Sequence, residues 1–129
     1  MKKIIFTEDA PFPVGPYSQA IIVNGTLYAS GQIAMECINF GVSDVEKQTE
    51  EVCKNIIAVI KAADMELCDV VKTTCFLANM SDFATFNGVY EQYFSHKPAR
   101  SCVAVKELPK SALVEVEVIA VKETKRQSK

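Results

Sequence analysis

The chain has 129 residues, of which 49% are hydrophobic and 23% charged, with a formal net charge of −2. This suits one soluble domain, residues 1–129, with a core of its own, and it supplies no basic field for nucleic acid or an anionic membrane. The cysteines (Cys37, Cys53, Cys68, Cys75, Cys102) are odd in number and form no C-x-x-C pair, which argues against a disulfide framework or a zinc site and for a reducing, cytoplasmic setting.

At the start, "MKKIIFTEDAPFP" places only Ile4, Ile5 and Phe6 in a row before Thr7, too few for the apolar region of a signal peptide, and no later run approaches a membrane span. In "AIIVNGTLYASG", Asn24-Gly25 separates two β-prone runs and predicts a hairpin with a two-residue type I′ turn. That register sets Val23 against Thr26, Ile21 against Tyr28, Gln19 against Ser30 and Tyr17 against Gln32, so "GPYSQ" lies beside "SGQ". Ser43 and Glu46 have the spacing of a capping box, and Val45, Thr49, Val52, Cys53, Ile56, Ile60 and Ala63 follow at helical spacing. Asp69 to Leu77 is β-branched and apolar, which predicts a strand. A second helix begins near "MSDF", capped by Ser81 or Asp82, with the stripe Phe83, Phe86, Tyr90, Phe94. Pro98 closes a short connection in which His96 is expected to be solvated. "SCVAV" and "ALVEVEVIAVKE" complete the strands, and the polar tail at 123–129 is expected to fray. The order ββ-α-β-α-ββ gives an α+β fold, two helices against one mainly antiparallel sheet with some parallel or mixed neighbours. The face that the helices leave bare motivates self-assembly through the sheet.

Several polar residues stand where apolar ones are expected. Arg100 precedes a core-like strand, and Asn87 interrupts an apolar helical stripe. Glu115 and Glu117 share one face of the last strand while Val114, Val116 and Val118 take the other, and Tyr17 follows the turn pair Gly15-Pro16. A purely structural account is available for each: Arg100 and Glu115 as an ion pair between neighbouring strands, Asn87 as a brace for a loop, Tyr17 as a half-buried aromatic. A chemical account takes Arg100, Glu115, Asn87 and Tyr17 together. A guanidinium holds a carboxylate through two parallel N–H bonds, a nearby carboxylate orients or deprotonates water, and an amide and a phenol fix the rest of a small ligand. That set suits a small organic acid attacked by water at the adjacent carbon. No cysteine or serine is placed beside a histidine for covalent catalysis, and no Gly-rich nucleotide loop is present.

With "APFPVGPYSQA", "LYASGQI", "VVKTTCFLANMSDFATFNGVYEQYF", "PARSCVAV" and "LVEVEVIAV" in hand, the chain resembles the RidA/YjgF family of reactive-intermediate deaminases over nearly its whole length. The resemblance implies a chorismate-mutase-like α+β fold and a homotrimer with clefts between subunits. It implies hydrolysis of 2-iminopropanoate or 2-iminobutanoate, and of their enamine tautomers such as 2-aminoacrylate, to 2-keto acids and ammonia, without a cofactor. The imines would come from pyridoxal-phosphate dehydratases. Carried over by motif, Arg100 would hold the substrate carboxylate and Glu115 would position water. Tyr17, Ser30, Gly31, Asn87 and Cys102 would line the cleft, Cys102 through its backbone. The chain departs from the family pattern in two segments expected to rim the cleft. "AMECINFG" replaces a turn like N-P-x-T-G, and only Ser95-His96-Lys97 separate Phe94 from Pro98. Two other functions fit the same resemblance, an endoribonuclease that inhibits translation and a non-catalytic regulator that binds a small carboxylate. The acidic balance and the lack of paired histidines weigh against the ribonuclease.

Overall fold

Asn24 and Gly25 both adopt left-handed backbone, at φ 49° and 83°, as a type I′ turn requires. In the computed structural model, which describes residues 1–122, they join β2 (Ala20–Val23) to β3 (Thr26–Ala29) in the expected register. The pairing extends to Gln19, whose carbonyl accepts from Ser30 N at 2.9 Å. It stops short of Tyr17. Instead of facing Gln32, Tyr17 folds back so that its N–H meets Gly15 O at 2.8 Å, and Gln32 exchanges backbone bonds with Val116. Pro16, with no N–H and a fixed φ, favours this turn over continued pairing.

Two elements were not anticipated. The first strand, β1 (Lys2–Ile5), pairs antiparallel with β2, but only Ile5 is buried, so the segment carries no alternating signal. The helix α1 (Met35–Asn39) is too short for a periodic pattern. A distant side chain anchors it: both carboxylate oxygens of Glu51 accept 2.8 Å bonds from its first N–H groups, at Glu36 and Cys37.

Helix α2 (Val45–Lys61) buries Thr49, Val52, Cys53, Ile56 and Ile60 as predicted. Its cap is Asp44, not the Ser43–Glu46 box: Asp44 Oδ1 accepts from Lys47 N at 3.0 Å. The two candidates are adjacent, and the aspartate occupies the extended position from which a side chain reaches the third helical N–H. Strand β4 (Val70–Leu77) starts one residue later than expected because Asp69 closes the preceding turn, its carboxylate taking Glu66 N at 2.9 Å. Helix α3 (Phe83–Tyr93) has Asp82 at its N-cap without a side-chain cap bond, the turn Met80–Asp82 running directly into it. Strands β5 (Ala99–Ala104) and β6 (Val114–Val121) follow.

The strands form one sheet in the order β1-β2-β3-β6-β4-β5, antiparallel except for β4 and β5. This is a mixed α+β fold. On one face Leu27, Cys75, Leu77, Val114, Val116 and Val118 pack with Val52, Ile56, Ile60, Phe86 and Phe94 into the core. The opposite face is bare, and it carries Ile4, Tyr28 and Val103 at 62, 52 and 47% exposure. No described helix is long and apolar enough to cross a membrane. The tail expected to fray lies outside the described residues.

The cap assignment has a direct consequence. Asp44→Ala should lower stability by about 1 kcal/mol, whereas Ser43→Ala should be nearly silent. Thermal melting of both variants at one protein concentration reads the difference.

Candidate functional site

The residues singled out by sequence fall into two groups on different parts of the chain. The first surrounds a cavity of about 940 Å³ whose lining includes Tyr17, Ser30, Gly31 and Glu115. Its walls come from the loop Glu8–Val14 on one side and from Met35 and Phe40, in and beside α1, on the other. The atypical "AMECINFG" segment therefore rims this cavity as expected, while Ser95–Lys97 do not line it. Ser30 is fixed by its own Oγ, which donates to Ser18 O at 2.6 Å, and Tyr17 OH lies 3.4 Å from Val14 N.

Glu115 enters from β6. The strand's alternation buries Val114 and Val116 and turns Glu115 and Glu117 to the bare face. The carboxylate then rests over Gly31. A Cβ at position 31 would overlap Glu115 Oε2 and lie only 2.8 Å from its Cδ, so the approach depends on glycine for its lack of bulk. Burial raises the Glu115 pKa above the usual carboxylate range, and the nearby Glu117 charge adds to the effect.

The second group lies on β5 and α3. Arg100 pairs with Thr73 in the parallel ladder, so its side chain takes the helix-covered face. Its Nη1 donates to Asn87 Oδ1 at 2.7 Å, and its guanidinium stands 4.8 Å from the Tyr90 ring centre and 5.6 Å from that of Phe83. Tyr90 is held in turn by a 2.7 Å hydroxyl–hydroxyl bond to the buried Thr73. Asn87 thus interrupts the apolar stripe because it orients the guanidinium, whose other N–H groups remain able to grip a planar anion. Cys102 lies beside Cys75, and burial raises both thiol pKa values, Cys75 to about 12. Neither is poised as a thiolate nucleophile. Val105 N bonds to Leu77 O at 2.9 Å, and strand alternation therefore turns the Cys102 N–H away from β4, toward the sheet's free edge.

The Arg100–Glu115 ion pair is overturned. Strand β4 separates β5 from β6, and the two side chains leave opposite faces of the sheet. His96 is exposed as expected, but it is not free of the fold. Its Nε2 lies 2.9 Å from Val70 O, tying the connection to the start of β4. Sequence reasoning missed the aromatic shelf of Tyr90 and Phe83 under Arg100. Their helical spacing from Asn87 was visible, but the stripe reads equally well as core.

The family model described as Endoribonuclease L-PSP matches residues 7–122. The candidate regulator AldR of Lactococcus lactis is 52% identical, over 92% of this chain and 96% of its own. A 2-iminobutanoate/2-iminopropanoate deaminase of Salmonella typhimurium is 41% identical over 95% of this chain and 99% of its own, and the human protein of that name 42% over 94% and 90%. Among solved structures, Escherichia coli TdcF with bound serine superposes with a TM-score of 0.87 at 39% identity, covering 94% of this chain and 99% of that one.

The electrostatics of Glu115 can be tested without any substrate. Glu117→Gln removes the neighbouring negative charge, which should lower the Glu115 pKa while leaving it above the ordinary range, because burial is the larger cause. Side-chain carboxyl NMR titration of the two proteins checks the direction.

Proposed function

The chain belongs to the YjgF/RidA family, the family of the Endoribonuclease L-PSP model, and from that premise we propose that it is a hydrolytic deaminase of small 2-imino acids and their enamine tautomers. The reading is carried by Glu115. Its half-buried carboxylate over Gly31 faces a cavity, and among the described residues no Lys or Arg contributes to its titration. A structural glutamate would be expected to have such a partner.

A single chain keeps Arg100 and Glu115 apart, so we assign the working site to two copies. One contributes Tyr17, Ser30, Gly31 and Glu115, and the other contributes Asn87, Arg100 and the Cys102 N–H. The bare sheet face, with its exposed apolar residues, favours the homotrimer in which three such clefts close. In each cleft the Arg100 fork holds the substrate carboxylate, which places the iminium carbon before Glu115. Glu115 takes a proton from water as the water oxygen bonds to that carbon, giving a tetrahedral carbinolamine. Glu115 returns that proton to nitrogen, the carbon–nitrogen bond breaks to release ammonia, and the regenerated carboxylate takes the hydroxyl proton as the carbon–oxygen double bond of the 2-keto acid forms. A raised Glu115 pKa makes the carboxylate a stronger base. Activity is then lost as pH falls through that pKa, where the carboxylate becomes protonated. The imines would be supplied by pyridoxal-phosphate dehydratases.

Two tests address this reading. Gly31→Ala pushes the end of a flexible side chain rather than backbone, so the fold should survive while Glu115 loses its position. The expected result is a fall in kcat of at least about tenfold with the melting temperature nearly unchanged. The second test mixes subunits. Arg100→Lys keeps the charge without the fork and should cost about 2–5 kcal/mol in kcat/KM, and Glu115→Gln should lower kcat more than it raises KM. Refolding the two variants together in equal amounts should restore about a quarter of the clefts, those pairing an intact Glu115 with an intact Arg100. Ammonia release coupled to threonine dehydratase is the assay, with light scattering to count the chains. Absence of recovery in a verified trimer would place both groups in one chain's site. Binding of a 2-keto acid by a wild type that releases no ammonia would favour the regulator.

A further inference from the structure

Gln19 is 2% exposed, yet it is polar and lies at the point where the cavity's loop wall meets the hairpin. Its side-chain amide is fully engaged. Oε1 accepts from Thr7 N at 2.7 Å, while Nε2 faces the carbonyls of Pro11, Thr7 and Ala10 at 2.9, 3.1 and 3.4 Å. Its main-chain carbonyl holds Ser30 N at 2.9 Å. One residue therefore fastens the chain before Phe12 and Val14, which line the cavity, to the strand end that presents Ser30 and Gly31. Segment 7–11 has no sheet partner of its own, and a lone carboxamide supplies both the acceptor and the donors that it needs.

We propose that Gln19 is a positioning residue that sets the distance between the Glu8–Val14 wall and the Ser30–Gly31 floor, and thereby governs ligand affinity and not the chemical step. The proposal rests on the deaminase reading for its ligand class. Gln19 does not touch Glu115 through any of these bonds, so the water-activating group should keep its place when the clamp fails. Loss of the clamp should act on KM and on product binding, with kcat spared.

The discriminating variant is Gln19→Glu. Its shape is conserved, but an ionised carboxylate can only accept: it keeps the Thr7 N bond and sets negative charge against the three carbonyls. Protonated, it regains one donor. Impairment should therefore grow with pH, the reverse of what a generally weakened fold would show on acidification. The experiment measures 2-iminobutanoate hydrolysis from pH 5.5 to 8.5, alongside calorimetric binding of pyruvate, for wild type and variant. At the alkaline end KM and the pyruvate Kd should rise about tenfold, the loss expected for one buried hydrogen bond, and both should return toward wild type at the acidic end. A kcat change without a Kd change, or a Kd that matches wild type throughout, overturns the proposal. A wild type that binds pyruvate but hydrolyses nothing overturns the deaminase reading and leaves the Kd comparison to judge Gln19. Should Gln19→Glu not fold, hydrogen exchange in wild type decides: a protected Thr7 amide supports the clamp, and exchange at a free-peptide rate overturns it.

Discussion

Strand β6 runs between β3 and β4, and its period of two determines what both faces of the sheet can be. Val114, Val116, Val118 and Ala120 are driven inward against α2 and α3 by the free energy of removing them from water. That commitment leaves Glu115, Glu117 and Ile119 no choice but the other face. A one-residue slip would bury two carboxylates and expose four apolar side chains, so the register is strongly enforced. The position of Glu115 over Gly31 is thus a by-product of core packing, inherited from the buried residues of β6.

The same packing explains why the candidate residues are divided between two faces. Only one face of the sheet receives helices, and α3 on that face offers Asn87, Tyr90 and Phe83 to Arg100. Glu115 must lie on the far side of the sheet for the reasons just given. A cation and a carboxylate of one chain that would otherwise neutralise each other are held apart by a strand and by the sheet itself. Each remains available to a ligand or to another copy. Direct pairing would have satisfied both groups and abolished any affinity for a small acid.

Much of this was legible in the sequence because it rests on short-range patterns. The Asn-Gly turn, the alternation of "VEVEV" and the stripe from Phe83 to Phe94 each specify a local geometry, and the structure contains all three. Strand β1 and helix α1 were not legible. The first is mostly exposed, and the second exists because Glu51, fifteen residues away, accepts its leading N–H bond at Glu36. The helix start was misplaced by one residue because Ser43 and Asp44 are both competent caps and only the backbone path chooses between them. Tyr17 was placed opposite Gln32 by extending a register past Pro16, where the chain turns. The family resemblance named the candidate residues, but their division between two faces became visible only from the strand order. A sequence gives β5 and β6 as consecutive strands, whereas the fold inserts β4 between them.

Closing a cleft around Glu115 would change its chemistry in two opposed ways. Removing water from the carboxylate raises its pKa further, as burial already does in the single chain. Bringing a partner's guanidinium and a bound carboxylate close contributes two charges of opposite sign that largely cancel at a distance. The desolvation therefore survives, and the basicity of Glu115 depends on how tightly the second subunit excludes water. A slack interface admits water and lets the carboxylate relax toward an ordinary pKa. A tight interface keeps a base that is stronger than an ordinary carboxylate. The arrangement needs no residue of unusual reactivity, only ordinary groups held where water is scarce.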